Sequence, residues 1–95
     1  MEVKHIQRND KGAFKLYDGE VLAGVLEYEI LTSEVLSALH TETQSGFEGK
    51  GVGATLFNAL IDFVKNKELK INPLCPFVKA KLEKDESLHY LIAKM

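Results

Sequence analysis

The stretch Gly49-Lys50-Gly51-Val52-Gly53-Ala54 sets glycines at alternate positions just ahead of an apolar-periodic segment. A tight turn needs one glycine, and a helix interior avoids them, because each costs roughly 1 kcal/mol against alanine. Bare backbone at the mouth of a helix suits an anion. The first N–H groups of a helix have no intrahelical acceptor and lie at the positive end of its dipole, and glycine lets an oxygen approach them closely. Elsewhere stand a lone cysteine, Cys75, and His40, with Glu27, Glu29 and Glu42 as further proton acceptors. Cys75 precedes Pro76, a residue type suited to the first turn of a helix, and a helix N-terminus favours thiolate, the nucleophilic form. Against that, a cysteine in an apolar setting is commonly a small buried hydrophobe. Histidine exchanges a proton near neutral pH, so His40 is a candidate base. His5 and His89 lack such a setting and are expected at the surface. No His/Cys/Asp/Glu spacing suggests a metal site.

Two phosphate-binding motifs fail on the glycine stretch. A P-loop needs glycine five residues before Gly49 and serine or threonine after Lys50; the chain has Gln44 and Gly51 there. The dinucleotide fingerprint G-x-G-x-x-G/A is matched formally by Gly49, Gly51 and Ala54. It also requires an acid at the end of the next strand, where Asn72 and Pro73 stand, and more chain than remains for a doubly wound sheet.

A third pattern, R/Q-x-x-G-x-G/A, takes Gly51 and Gly53 as its glycines. With "LHTET", "FEGKGVGATL" and "LKINPLCPFVKAKLEK" in this order and spacing, the chain resembles the short, single-domain GNAT-like N-acetyltransferases over residues 13–84. The resemblance implies a minimal GNAT-like acyl-CoA N-acyltransferase fold that uses acetyl-CoA. Its pyrophosphate would rest on the backbone of Glu48, Gly49, Lys50, Gly51, Val52, Gly53 and Ala54, with Lys50 adding charge. The pantetheine arm of coenzyme A would pair as an extra strand with the backbone of His40, Thr41, Glu42 and Thr43, with Pro73 and Phe77 alongside. Cys75 would lie at the sulfur end, either taking the acetyl group itself or lining the thioester pocket. His40 would be nearest the chemistry as base, with Glu27, Glu29 and Glu42 open as alternatives. One position departs from the pattern: its leading Arg or Gln falls on Glu48, an unfavourable neighbour for a pyrophosphate.

The implied reaction is acetyl transfer to an amine whose identity the sequence does not give. The chain lacks the extra helices that cover the acceptor side in larger relatives. The acceptor site is therefore expected to be open, suiting a protein amine or an exposed small amine, or to be completed by a partner subunit in a homodimer. The competing reading is a non-catalytic acyl-CoA-binding or interaction module.

These residues need elements to position them. The 95 residues are expected to form a single domain, and their apolar content of 45% is that of a packed globule. A net charge of −2 and a pI near 5.9 argue against a nucleic-acid partner. No apolar run approaches the ~20 residues of a membrane span, and the single cysteine suits a reducing compartment, so a cytoplasmic protein is expected. Alternation predicts strands over 3–8, 13–18, 21–30 and 34–43, with Asp18-Gly19 turning a hairpin. On 21–30 it sets Leu26, Tyr28 and Ile30 against Glu27 and Glu29, with Gly24 marking a bulge or a close approach. On 34–43 it sets Leu36, Ala38 and His40 opposite Val35, Ser37, Leu39 and Thr41. From Val52 the period changes to that of a helix ending near Asn66. A short strand over 69–73 should run parallel to 35–43. A second helix should start at Pro76, and the tail with Leu88, Tyr90, Leu91 and Ile92 should pack back on the core. The fold class is α+β: an antiparallel sheet with one parallel strand–helix–strand unit at the glycine loop.

Overall fold

The computed structural model describes residues 1–94. Strands β1 (Glu2–Arg8), β2 (Lys11–Asp18), β3 (Val21–Ile30) and β4 (Val35–Thr43) form an antiparallel meander. Helix α1 (Val52–Lys67) then crosses to β5 (Lys70–Pro73), which pairs parallel with β4 and closes a five-stranded sheet of order β1-β2-β3-β4-β5. Helix α2 (Pro76–Lys84) and a 3-10 helix (Glu86–Leu91) follow. The mixed sheet is the one that the alternation and the period change predict, with boundaries shifted by a residue or two.

Helix α1 exists because its apolar residues fall on one stripe: Val52, Leu56, Phe57, Leu60, Ile61 and Val64 are all buried. That stripe meets Phe14, Leu16, Leu26, Tyr28, Leu36 and Ala38 on one face of the sheet, and Val78 and Leu82 of α2 join the same cluster. The opposite face carries Lys11, Lys15, Glu27, Glu29, His40 and Glu42, as the cross-strand pairs dictate. In the tail Leu88 and Leu91 are buried, as expected, while Tyr90 is exposed.

One sequence expectation is corrected. Strand β4 does not alternate throughout: Glu27 pairs with His40 but Tyr28 pairs with Ala38, so Leu39 is an extra residue. A bulge inverts the phase beyond it. Leu36 and Ala38 face the helices, but so do Thr41 and Thr43, whereas His40 turns to the charged face with Glu42. His5 is exposed, as expected, but it has partners that the sequence does not show. Its ring stacks on Phe14 at 4.3 Å between centroids, meets Phe63 of α1 edge-on, and lies 2.6 Å from the Tyr28 hydroxyl through Nε2. Partial shielding from water holds its pKa below the ordinary histidine value of 6.5.

Candidate functional site

Pairing between β4 and β5 stops at Ala38 and Pro73, yet β4 runs on to Thr43. Proline ends β5, and the chain leaves the sheet through Leu74 and Cys75 into α2. The Cys75 N–H donates to the Ala38 carbonyl at 2.9 Å and pins the crotch of this fork. One step below, Asn72 Nδ2 donates to Ser37 Oγ at 3.1 Å, so the base of the fork is tied through side chains as well. Residues 39–43 therefore present a strand edge with no β5 neighbour. An unpaired edge of this kind can pair with an added extended chain.

Inside the fork, Cys75 is buried at 3% exposure and its Sγ donates to Thr41 Oγ1 at 3.4 Å. His40 is not there. It lies across the strand, its Nε2 3.4 Å from Glu42 Oε2, and it pairs in register with Glu27 of β3. The Glu42 carboxyl is held below the usual carboxylate range, first by the Gln44 side-chain amide and then by His40. The Cys75 and His40 expected together thus flank β4 from opposite faces, with Thr41 in the place beside sulfur.

At the far end of the fork the glycine loop opens α1. Gly49 and Gly51 both have φ near 76°, a left-handed conformation that a residue with a Cβ rarely adopts. Gly51 is the N-cap, no side chain caps the helix, and its first turn holds no acid. The N–H groups of Val52, Gly53 and Ala54 are therefore without helical acceptors at the positive end of a 16-residue helix. Gly53 has a different reason: a Cβ there would come within 2.8 Å of the Phe77 ring, which packs on this turn.

A cavity of about 350 Å³ lies over this turn, lined by Thr43, Phe47, Glu48, Gly49, Gly51, Val52, Gly53, Ala54, Phe77 and Lys81. It gathers most of the residues that the sequence assigns to a cofactor. Thr41, Glu42 and Pro73 lie along the fork instead, and Lys50 leans over the Phe47 ring, its Nζ 5.6 Å from the centroid. The Glu48 carboxylate accepts the Gly46 N–H at 2.8 Å, so it braces its own loop. Lys81 and Phe47 are additions. Lys81 had a signal in the sequence, since it stands four residues after Phe77 and so shares its helix face.

The sequence model of the GCN5-related N-acetyl-transferases matches residues 13–91. Protein NATD1 of Homo sapiens is 26% identical over 91 residues, covering 96% of this chain and 80% of that one. Its Xenopus tropicalis counterpart is 30% identical over 67 residues, covering 70% of this chain and 62% of its own length. The solution structure of a GCN5-like protein from Staphylococcus aureus superposes with a TM-score of 0.68 over 97% of this chain and 89% of its own, at 23% identity. That last likeness is one of fold.

Proposed function

The chain belongs to the GCN5-related N-acetyltransferase family, and from that premise we propose that it binds acetyl-CoA and transfers the acetyl group to an amine. The observation that carries this is the fork in the sheet, leading from Cys75 and Thr41 at the crotch to the uncapped start of α1. The donor set fits the ligand: free N–H groups over Val52–Ala54 for a pyrophosphate, the edge of 39–43 for peptide-like amides, and Phe77 to cover the arm. Bound acetyl-CoA supplies an acyl group activated as a thioester.

The chain's own residues then divide the remaining work. An acceptor ammonium approaching β4 from the charged face meets His40, which removes its proton, while Glu42 holds the imidazole and stabilises the charge it gains. Glu27 beside His40 adds a second carboxylate that attracts the cation. Thr41 and Cys75, on the other side of the strand, line the thioester end. Direct attack by the amine, which breaks the thioester C–S bond and releases the thiol, is favoured over an acetyl-cysteine, because Cys75 is buried and bonded to Thr41, and among the described residues no base is bonded to it. The acceptor side is an uncluttered sheet face, which suits a protein amine or an exposed small amine.

A second reading, an acyl-CoA-binding module without turnover, draws on Glu48 and the open acceptor side. Calorimetric titration with acetyl-CoA tests the shared premise, with Ala54→Asp as the comparison. An aspartate in the first helical turn suits the helix dipole, so the variant should fold while its carboxylate repels a phosphate. Micromolar binding lost in the variant supports the cradle; no binding by the folded wild type removes both readings. Acetyl transfer to any of a panel of lysine peptides and polyamines then separates enzyme from module.

A further inference from the structure

The loop ahead of α1 brings no free cation to the cavity, whereas α2 does. The position where the family pattern has Arg or Gln holds Glu48, whose carboxylate is spent on Gly46 N–H. Lys50, the loop's own cation, leans on Phe47 and does not line the cavity. Lys81 does line it. Its Nζ stands 5.9 Å from the centroids of both Phe57 and Phe77, which hold the side chain against the cavity wall. It is half-buried, unlike the exposed Lys79 and Lys84 of the same helix. Among the described residues the one ion pair formed is His40–Glu42, so no carboxylate neutralises Lys81. A half-buried, unneutralised ammonium aimed at a cavity floored by free N–H groups is the arrangement a phosphate needs.

We propose that Lys81 is the phosphate-binding cation of this chain, replacing from α2 the residue that the loop has lost at Glu48, and that it makes the site selective for phosphate-bearing pantetheine thioesters. This rests on the acetyl-CoA reading above. The shared chemistry is a phosphate group, and the pyrophosphate and the 3′-phosphate of coenzyme A are its two sources.

The test is titration of wild type, Lys81→Gln and Lys79→Gln with acetyl-CoA, acetyl-dephospho-CoA and S-acetylpantetheine, after thermal melts establish that each variant folds. Lys81→Gln should weaken acetyl-CoA about tenfold, Lys79→Gln should not, and S-acetylpantetheine should bind all three alike. A loss that persists with acetyl-dephospho-CoA assigns Lys81 to the pyrophosphate; a loss confined to acetyl-CoA assigns it to the 3′-phosphate. Adding Glu48→Arg to Lys81→Gln should recover most of the affinity, a rescue that a merely structural lysine would not show. Equal affinity of wild type and Lys81→Gln for acetyl-CoA overturns the proposal while leaving the acetyl-CoA reading intact. Failure of the wild type to bind acetyl-CoA overturns both.

Discussion

Thr41 and His40 are adjacent in sequence and stand on opposite faces of β4: Thr41 accepts from Cys75 Sγ at 3.4 Å inside the fork, and His40 pairs with Glu42 on the charged face. The bulge at Leu39 produces this arrangement. Without it Thr41 would lie with Glu42's present neighbours on the charged face, and His40 would be the residue against sulfur. The bulge thus sets the His40–Glu42 pair and the Cys75–Thr41 pair on opposite sides of the strand.

That separation predicts different kinetics for two substitutions. His40→Gln should lower kcat for acetyl transfer by about 100-fold and remove the limb of the pH–rate profile that reports the base. Cys75→Ala should act mainly on acetyl-CoA binding, raising its KM a few-fold with kcat within about fivefold of wild type. A complete loss of turnover in Cys75→Ala, with acetyl-CoA affinity retained, would mean that the acetyl group passes through the cysteine.

His5 predicts how stability depends on pH. Its folded pKa lies below 6.5 because one side of the ring is shielded from water by Phe14 and Phe63. Between the folded value and 6.5 the unfolded chain therefore binds more protons, so stability rises with pH through that window. The contribution is fully present above the unfolded value and is lost as pH falls. Urea midpoints of wild type and His5→Phe, measured at several values between pH 7.5 and 5, should diverge in slope, the wild type losing more on acidification. Parallel curves would show that this histidine takes no part in acid destabilisation.

Glu48 makes a prediction of sign. Glu48→Gln keeps an oxygen for the Gly46 N–H and removes the charge beside the cradle. Acetyl-CoA should bind about two- to fourfold more tightly, and the gain should shrink as salt is raised. Unchanged or weaker binding at low salt would place the phosphates away from this loop.

What could be read from the sequence follows from how local each cause is. The α1 stripe repeats the helical period over Val52, Leu56, Leu60 and Val64, and the glycines ahead of it stand where backbone sterics require them, so helix and loop were legible. The faces of β4 were not, because Leu39 carries no mark of a bulge; only its pairing with β3 creates one. The partners of the exposed His5 were hidden for a similar reason. Strand β1 is exposed along most of its length, and the aromatic pocket under His5 is assembled by Phe14, Tyr28 and Phe63 from three other elements. Lys81 was legible through its spacing from Phe77, provided that Phe77 was already placed at the cradle.

Gly24 links the sheet to the site, and its substitution should reveal the coupling. Both sequence expectations for this glycine hold: β3 slips register beside it, where Leu16 pairs with Gly24 but Tyr17 with Leu22, and α1 packs directly on it. A Cβ at this position would overlap Val52 Cγ1 and lie 2.8 Å from the Glu42 carbonyl oxygen. Gly24→Ala should therefore cost about 1–3 kcal/mol of stability. Val52 is the first residue of α1, so the helix entrance moves to relieve the overlap, and acetyl-CoA affinity should fall with stability. Val64→Ala, a cavity in the last turn of the same helix, provides the contrast: a loss of about 2 kcal/mol with the cradle undisturbed. Denaturant melts and acetyl-CoA titrations of both variants, at a temperature where each is folded, check this. If Gly24→Ala loses stability and keeps wild-type affinity, the sheet accommodates the methyl group and the start of α1 does not depend on this contact.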